Sequence, residues 1–307
     1  MKNLPKQIAL VMLTTSALFA LDVPKNHIAS TSWLEKNINS KNLVVIDTRK
    51  TDDYVKGHIK GAISYPKKVW FQGKLGNIPK LPNTIEQIQK MLQNAGVTQD
   101  SAIVFYSAGK KNKDFADAAS GIWNVWLYGI QNTALLNGGF AKWQYEKKHT
   151  SKNAPIITKS DIELDVYDKT IIASLNDIVE AIHDENIQIT DARVLKFYKG
   201  EDKRKDLARH GRIPTAKLTP MIRYTKDNGK YFEFISSKEA KSTLNNGGYG
   251  VELDKPLITY CNTGHKARGL WFVSKFLAKM KNVKVYDDSM VSYSRTNMPI
   301  ETGESMD

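Results

Sequence analysis

The strongest constraint on the fold is an internal repeat. An apolar run that ends in Asp-x-Arg occurs at residues 43–49 and again at residues 187–193. In each copy the motif Gly-x-Ile-x-x-Ala follows, at residues 57–62 and 211–216, and a second apolar run comes later. Short apolar runs rich in β-branched residues predict buried strands. The same order of motifs in both halves therefore predicts two similar domains.

Helical periodicity follows the second apolar run of each copy, which lies at residues 102–106 and 256–260. Apolar side chains then recur with the spacing of one helix face. They are Phe115, Ala119, Ile122 and Trp126 in the first copy, and Leu270, Val273, Phe276, Leu277 and Met280 in the second. We expect them to pack in the core. Strands that alternate with helices predict an α/β fold, with two tandem domains that each hold a mainly parallel sheet flanked by helices on both faces.

The length supports this division, because 307 residues exceed one average domain. We predict a first domain over residues 22–150, a polar linker over 151–168 and a second domain over 169–307. The main difference in length between the copies is a run of mixed charge at residues 199–206, which we predict to be a solvated loop.

The amino terminus has the features of a secretion signal. Lys2 and Lys6 precede an uncharged apolar segment at residues 8–21, and small residues up to Ala20 lie where a signal peptidase would cut. We predict a signal peptide over residues 1–21. The expected location is therefore periplasmic or otherwise exported, with no stable membrane association after cleavage. Retention of the segment as a membrane anchor is the alternative.

The chain has a single cysteine, Cys261, at the end of an apolar run and before a short polar loop. One cysteine cannot form an internal disulfide, and an unpaired thiol in an exported protein indicates reactivity. We predict a strand that ends at Cys261 and a helix over residues 267–278. The amino terminus of a helix offers unpaired N–H groups and positive dipole charge, which favour the nucleophilic thiolate.

The loop after the cysteine is predicted to bind an anion. Its backbone N–H groups can form a nest around the sulfur, and its one glycine gives the backbone the necessary freedom. We expect His265 and Lys266 to add positive charge at the rim. The predicted substrate-binding residues of this loop are Asn262, Thr263, Gly264, His265 and Lys266.

Three reactions suit a thiolate in such a nest: sulfur transfer through a persulfide, phosphoryl transfer and disulfide exchange. A cysteine phosphatase requires an arginine six residues after the nucleophile to clamp phosphate, and Ala267 stands there. Disulfide exchange normally uses a second, resolving cysteine, which the chain lacks. Persulfide chemistry needs only one thiol and is therefore the favoured reaction.

The first copy has Ser107 at the position of Cys261. We expect this copy to be inactive and to supply one wall of a cleft between the domains. The net charge is +13, but the lysines are scattered and form no basic stripe with interleaved aromatics. This distribution argues against nucleic acid and favours a small anionic substrate. Six scattered histidines and one cysteine form no zinc-like ligand pattern, so no metal is expected.

These motifs together resemble those of tandem-domain rhodanese-like sulfurtransferases, from about Asn26 to the carboxyl terminus. The matching segments are residues 47–49, 57–62, 136–143, 191–193, 260–267 and 286–290. The resemblance implies an inactive first domain, an active second domain and Cys261 as the sulfur-accepting nucleophile, without a cofactor. It also implies that the thiolate takes the outer sulfur of thiosulfate and expels sulfite. A thiol, cyanide or protein acceptor then removes the sulfur.

The chain departs from the thiosulfate-using pattern at two positions. Vertebrate-type thiosulfate enzymes have a basic residue where this chain has Thr263 and an arginine where it has Phe197. Relatives that use mercaptopyruvate have a loop of small uncharged residues, which differs from the basic loop here. We therefore expect a thiosulfate sulfurtransferase. The alternatives are a 3-mercaptopyruvate sulfurtransferase and a sulfur carrier without turnover.

The contacts or orientation of three further residues can also be predicted. Arg193 is a candidate substrate ligand, or it forms an ion pair with Asp191 that holds the strand end. His58 is expected to pack or bond locally in a turn. Arg268 is expected to point outward from the start of the helix.

Overall fold

The computed structural model of the chain describes residues 21–76, 78–246 and 250–304. Apart from Leu21, the predicted signal peptide lies outside these ranges. Within the described ranges, no helix has the length and apolar character needed to cross a membrane.

The first half of the chain alternates strands with helices. Its strands are β1 (Ile28–Ala29), β2 (Leu43–Asp47), β3 (His58–Ile59), β4 (Ile63–Ser64), β5 (Gly73–Leu75), β6 (Ile78–Leu81), β7 (Ala102–Tyr106), β8 (Thr133–Leu136) and β9 (Thr150–Ser151). Its helices are α1 (Thr31–Asn37), α2 (Thr51–Lys56), α3 (Ile85–Asn94), α4 (Phe115–Leu127) and α5 (Gly139–Tyr145), with a short 3-10 helix at Lys67–Trp70. A parallel sheet has the order β1-β8-β7-β2-β4.

The second half repeats this plan. Its strands are β10 (Gln188–Asp191), β11 (Lys217–Leu218), β12 (Thr225–Asp227), β13 (Phe232–Phe234), β14 (Leu257–Tyr260) and β15 (Val283–Val285). Its helices are α6 (Leu175–His183), α7 (Leu195–Tyr198), α8 (Ser237–Asn246), α9 (His265–Phe272) and α10 (Ser289–Tyr293), with a 3-10 helix at Met221–Tyr224 and a π-helical turn at Val273–Leu277. The parallel order β11-β10-β14-β15 corresponds to β4-β2-β7-β8 of the first sheet.

Both faces of each sheet are covered, as the apolar strands predict. In β7, Ile103 and Phe105 face one core cluster with α4, while Val104 and Tyr106 face another with α1 and α5. Successive side chains of a strand point to opposite faces, so a strand buried on both sides must be apolar throughout. The predicted fold class is therefore confirmed.

The two domains share one core through helices α4 and α9. The Trp126 and Trp271 rings meet edge to face with centroids 5.8 Å apart. At Gly269, an added Cβ would lie only 3.1 Å from the Cβ of Ala116 across the interface. The periodic apolar residues predicted on both helices are all buried, and those of the two helices belong to a single cluster. Contacts between the two domains therefore contribute to the burial of these side chains.

The predicted linker is attached to the first domain. The backbone N–H of Ser160 donates to the carbonyl of Gln93 at 3.0 Å, and that of Asp168 donates to the carbonyl of Leu127 at 2.8 Å. Ile162 is buried. These bonds fix the linker along α3 and the end of α4. The boundaries at 22–150, 151–168 and 169–307 stay a prediction.

Candidate active site

A cleft of about 960 Å³ separates the two domains, and Cys261 lies in its wall. Of the predicted site residues, Cys261, Asn262, Thr263, His265 and Lys266 line this cleft. The first domain contributes the opposite wall, which includes Thr48, Lys50, Thr51, Asp52, Pro66, Lys67, Lys68, Phe71, Lys113, Asp114 and Asp117. Gly264 and Arg193 are not among the lining residues: Gly264 packs against Asp287, and Arg193 lies behind the loop.

The cysteine loop is shorter than the sequence indicates. Helix α9 begins at His265, two residues before the predicted start, so only three residues separate it from Cys261. In the described part of the chain, the backbone N–H groups of Asn262, Thr263, Lys266 and Ala267 have no hydrogen-bond acceptor. They are therefore available to an anion at the amino terminus of α9.

Ser289 holds the loop from behind. Its Oγ accepts hydrogen bonds from the backbone N–H groups of Cys261 and Gly264, both at 3.1 Å, and donates to the carbonyl of Tyr286 at 3.0 Å. Gly264 has a φ of +76°, and an added Cβ would lie 2.3 Å from Oδ1 of Asp287. Glycine is required here because both the left-handed backbone and the close approach exclude a side chain.

Arg193 positions the loop through Asn262. Its guanidinium binds the Asp191 carboxylate, with Nε–Oδ1 at 2.8 Å and Nη2–Oδ2 at 2.6 Å, and its Nη1 donates to Oδ1 of Asn262 at 3.1 Å. Burial lowers the pKa of Arg193, but attraction to Asp191 more than compensates, so the pKa lies above its ordinary value. Because only 1% of Arg193 is exposed, the structure favours the ion-pair alternative over direct substrate contact.

Arg204 is a cation of the cleft that was not predicted from the sequence. Residues 199–206 were expected to form a solvated loop, but Arg204 lines the same cleft as Cys261. Its Nε and Nη2 bind Asp206 at 2.7 and 2.5 Å, which leaves Nη1 without a partner among the described residues. The bond to Asp206 is the main cause of its raised pKa, and attraction to Cys261 adds to it. The sequence offered one indication of this role: the segment 199–206 occurs in the copy that has the cysteine and is absent from the other copy.

Lys266 faces the cleft beside the cysteine. Burial lowers its pKa, while attraction to Cys261 opposes that shift. The structure thus places the amine of Lys266 in the cleft, close to the sulfur of Cys261.

His265 differs from the expectation that it adds positive charge. Its Nε2 lies 2.7 Å from Oδ1 of Asp117, and its Nδ1 lies 3.2 Å from Nζ of Lys67, both in the first domain. Burial lowers its pKa to about 4, because desolvation and Lys67 together outweigh the hydrogen bond to Asp117. At neutral pH the ring is therefore uncharged: Nε2–H donates to Asp117, and Nδ1 accepts from Lys67.

This contact between domains predicts a pH-dependent stability. In the unfolded chain His265 has a pKa near 6.5, whereas in the native state its pKa is about 4. Between these two pH values the unfolded state binds a proton that the native state does not, so stability falls as the pH is lowered through this interval. Between pH 7 and pH 5, His265 should account for about 2 kcal/mol of the loss in free energy of unfolding. Urea unfolding at both pH values tests this. Between pH 7 and pH 5, the variant His265→Gln should lose less stability than the parent. The control His149→Gln changes an exposed histidine and should lose as much as the parent. Equal losses in all three proteins would show that His265 is not the group responsible.

The equivalent site of the first domain is closed. The β12–β13 hairpin of the second domain lies over the loop that follows Ser107: the N–H of Phe232 donates to the carbonyl of Gly109 at 2.8 Å, and that of Phe234 donates to Oδ1 of Asn137 at 2.9 Å. Ser107 is buried, and the space beside it is only about 10 Å³. That volume is too small for a substrate.

A cysteine placed in the closed site should therefore stay inactive. We expect Ser107→Cys in a Cys261→Ser background to show no thiocyanate formation and slow alkylation of the new thiol. The measurement is the rate of labelling by iodoacetamide, compared with that of Cys261 in the parent. Rapid labelling or restored turnover would show that the hairpin does not seal the site.

Arg268 is buried, and the expectation that it points outward is wrong. Its Nε and Nη2 bind the Asp287 carboxylate at 2.6 and 2.8 Å, and its Nη1 donates to the carbonyl of Trp70 in the first domain at 2.9 Å. The guanidinium also lies 4.2 Å from the centroid of the Phe71 ring. It thus joins the base of the cysteine loop to the opposite domain. His58 makes one local bond, from Nδ1 to the carbonyl of Tyr54 at 3.0 Å, but its Nε2 lies 3.1 Å from the carbonyl of Asn153, which is distant in sequence.

Comparison with known proteins agrees with this architecture. The profile of the rhodanese-like domain matches the chain twice, over residues 30–146 and 174–296. A provisionally named thiosulfate sulfurtransferase of Saccharopolyspora erythraea is 30% identical over 282 residues, which cover 89% of this chain and 95% of that protein. A sulfur carrier protein of Thermus thermophilus is 26% identical over 292 residues, covering 90% and 97%. The protein is therefore a two-domain sulfurtransferase.

The chain belongs to the rhodanese-like family, as its motifs indicated. Solved structures show the same fold. The 3-mercaptopyruvate sulfurtransferase SseA of Escherichia coli superposes with a TM-score of 0.73 at 24% identity, covering 86% of this chain and 98% of that chain. The anaerobic ergothioneine biosynthesis enzyme of Chlorobium limicola superposes with a TM-score of 0.77 at 20% identity, covering 91% and 71%.

Proposed function

We propose that the protein is a thiosulfate sulfurtransferase that carries sulfur as a persulfide on Cys261. The observation that supports this most is the joint placement of the thiol, the free N–H groups at the start of α9 and the cations Lys266 and Arg204 in one cleft. The Cys261 thiolate would attack the outer sulfur of thiosulfate. The S–S bond of thiosulfate breaks, its electron pair leaves with sulfite, and a new S–S bond holds the sulfur on Cys261.

The second half-reaction regenerates the thiolate. An acceptor such as cyanide attacks the outer sulfur of the persulfide, the S–S bond breaks, and its electron pair returns to Cys261. The N–H groups at the start of α9 and the charge of Lys266 would stabilise the anionic sulfur in both states. An exported location of this activity remains part of the proposal.

The charge of the cleft favours thiosulfate over mercaptopyruvate as the donor. Thiosulfate is a dianion with a sulfonate-like end, and Arg204 has Nη1 free to bind it beside Lys266. A side-by-side comparison of the two donors, with cyanide as acceptor, tests the proposal. A higher kcat/KM with mercaptopyruvate would favour that alternative, and a stable adduct of one sulfur atom without turnover would favour a sulfur carrier. Mass spectrometry of the purified protein detects the adduct.

Arg204 should contribute to binding of the donor. The variant Arg204→Gln is expected to raise the KM for thiosulfate about tenfold, because it removes a hydrogen bond to a charged group. The kcat should change less. Lys205→Gln, which removes the same charge from an exposed neighbour in the same loop, is the matched control. Equal effects of the two variants would show that only net charge matters.

A further inference from the structure

The cleft is much larger than the proposed donor. Its volume of about 960 Å³ lies at the upper end of the range for small-molecule sites, about 300–1,000 Å³. Thiosulfate is an ion of a few atoms and would occupy only the part next to Cys261. The remaining space is bounded mainly by the first domain, which has no open site of its own around Ser107.

The first-domain wall is rich in lysines that have no partner. Lys50, Lys68 and Lys113 line the cleft with exposed side chains, and none of them forms an ion pair or side-chain hydrogen bond with a described residue. Lys67 differs from these three lysines because its Nζ lies 3.4 Å from Oδ1 of Asp117 and 3.2 Å from Nδ1 of His265. Three unpaired ammonium groups therefore face space that the donor does not fill.

The carboxylates of the cleft only partly balance this charge. Six cationic side chains and three aspartates line it. Asp117 is hydrogen-bonded to His265, and Asp114 accepts the backbone N–H groups of Lys110 and Lys111 at 2.9 and 3.0 Å. The cleft thus keeps an excess of positive charge, which attracts and orients anionic ligands.

We propose that the first domain binds the sulfur acceptor, and that this acceptor is a low-molecular-weight thiol with two or more carboxylates. The inference rests on the proposed function, because it requires the persulfide on Cys261. Three separate lysines on one wall suit several carboxylates better than they suit one compact anion. The cleft volume matches a ligand of small-peptide size.

The transfer step is balanced without another reactant. The thiol of the acceptor releases its proton to solvent, and its thiolate attacks the outer sulfur of the Cys261 persulfide. A new S–S bond forms on the acceptor, the old S–S bond breaks, and its electron pair returns to Cys261 as thiolate. The acceptor is an anion and must approach negatively charged sulfur on Cys261. The lysines of the wall would reduce the repulsion between the acceptor and this sulfur.

Two probes test the proposal with the full-length protein. Glutathione has two carboxylates, and its monoethyl ester has the same thiol with one carboxylate fewer. At saturating thiosulfate, we expect glutathione to have a kcat/KM several-fold above that of the ester. The double variant Lys50→Gln/Lys68→Gln should lower the kcat/KM for glutathione about fivefold more than that for cyanide, as expected for the loss of two exposed ion pairs.

A matched control separates local binding from net charge. Lys25→Gln/Lys41→Gln removes the same charge from exposed lysines outside the cleft and should leave the preference for glutathione intact. Equal use of glutathione and ester by the parent, or equal effects of the two double variants, would overturn the inference while thiocyanate formation continued. Absence of thiocyanate formation by the parent would instead overturn the proposed function, and this inference with it.

Discussion

Replacing Cys261 by serine should abolish sulfur transfer, with the kcat/KM for thiosulfate falling by at least about 10³-fold. The hydroxyl is not ionised at neutral pH and cannot hold sulfur as a persulfide, so both half-reactions are lost. Thiocyanate formation from thiosulfate and cyanide measures the activity. Mass spectrometry should show a one-sulfur adduct on the parent after incubation with thiosulfate and none on the variant.

The equivalent residue of the first domain provides the control. Ser107→Ala should keep the activity of the parent, because its closed site takes no part in the reaction. Thermal unfolding of Cys261→Ser should show that the fold survives this nearly isosteric change. Residual turnover close to that of the parent would mean that sulfur is transferred without a covalent intermediate on Cys261.

Replacing Arg268 by methionine should cause the largest loss of stability, about 3–5 kcal/mol in the free energy of unfolding. The substitution leaves Asp287 as a buried carboxylate without its counter-charge, and it removes the hydrogen bond to Trp70 across the domain interface. Burial already raises the pKa of Asp287 despite the attraction of Arg268. Loss of the arginine would add to this cost.

Urea unfolding of the parent and the variant measures the effect. Arg268→Lys restores a charge but not the two-pronged bond, so an intermediate loss is expected. The double variant Arg268→Met/Asp287→Asn should recover part of the stability, because it no longer buries an unpaired charge. A loss below about 1 kcal/mol in Arg268→Met would show that the ion pair contributes little.

Several features could be predicted from local patterns alone. The duplicated Asp-x-Arg and Gly-x-Ile-x-x-Ala motifs predicted two parallel sheets, because apolar strands and periodic helices are encoded by neighbouring residues. The same order of motifs identified Ser107 as the counterpart of Cys261. The loop after Cys261 was predicted to precede a helix, although α9 begins two residues earlier than expected.

A cleft between the domains was expected, but the side-chain contacts that join the domains could not be predicted. The periodic pattern correctly marked α4 and α9 as buried, but it did not identify each helix as the partner of the other. Arg268 was assigned to the surface because a charged residue at a helix start is usually exposed. Only the meeting of Asp287 and the Trp70 carbonyl from separate segments makes its burial possible.

The charges of the site also depend on contacts that the sequence does not reveal. His265 is next to the predicted nest in sequence, but burial against the other domain and the charge of Lys67 keep the ring neutral, in opposition to the hydrogen bond with Asp117. Arg204 lies in a hydrophilic run with no periodicity, and the fold brings it into the cleft. A pKa depends on burial and on charges that are close in space, so sequence neighbours cannot determine it.

The sequence by itself determined the duplicated α/β architecture and the lone thiol at a strand end, because strand, helix and loop patterns are short-range properties of the chain. Tertiary structure alone decided which charges surround that thiol, why the first copy is sealed and how the two halves form one cleft. These features arise from packing between residues about a hundred or more positions apart, and no local pattern records such contacts.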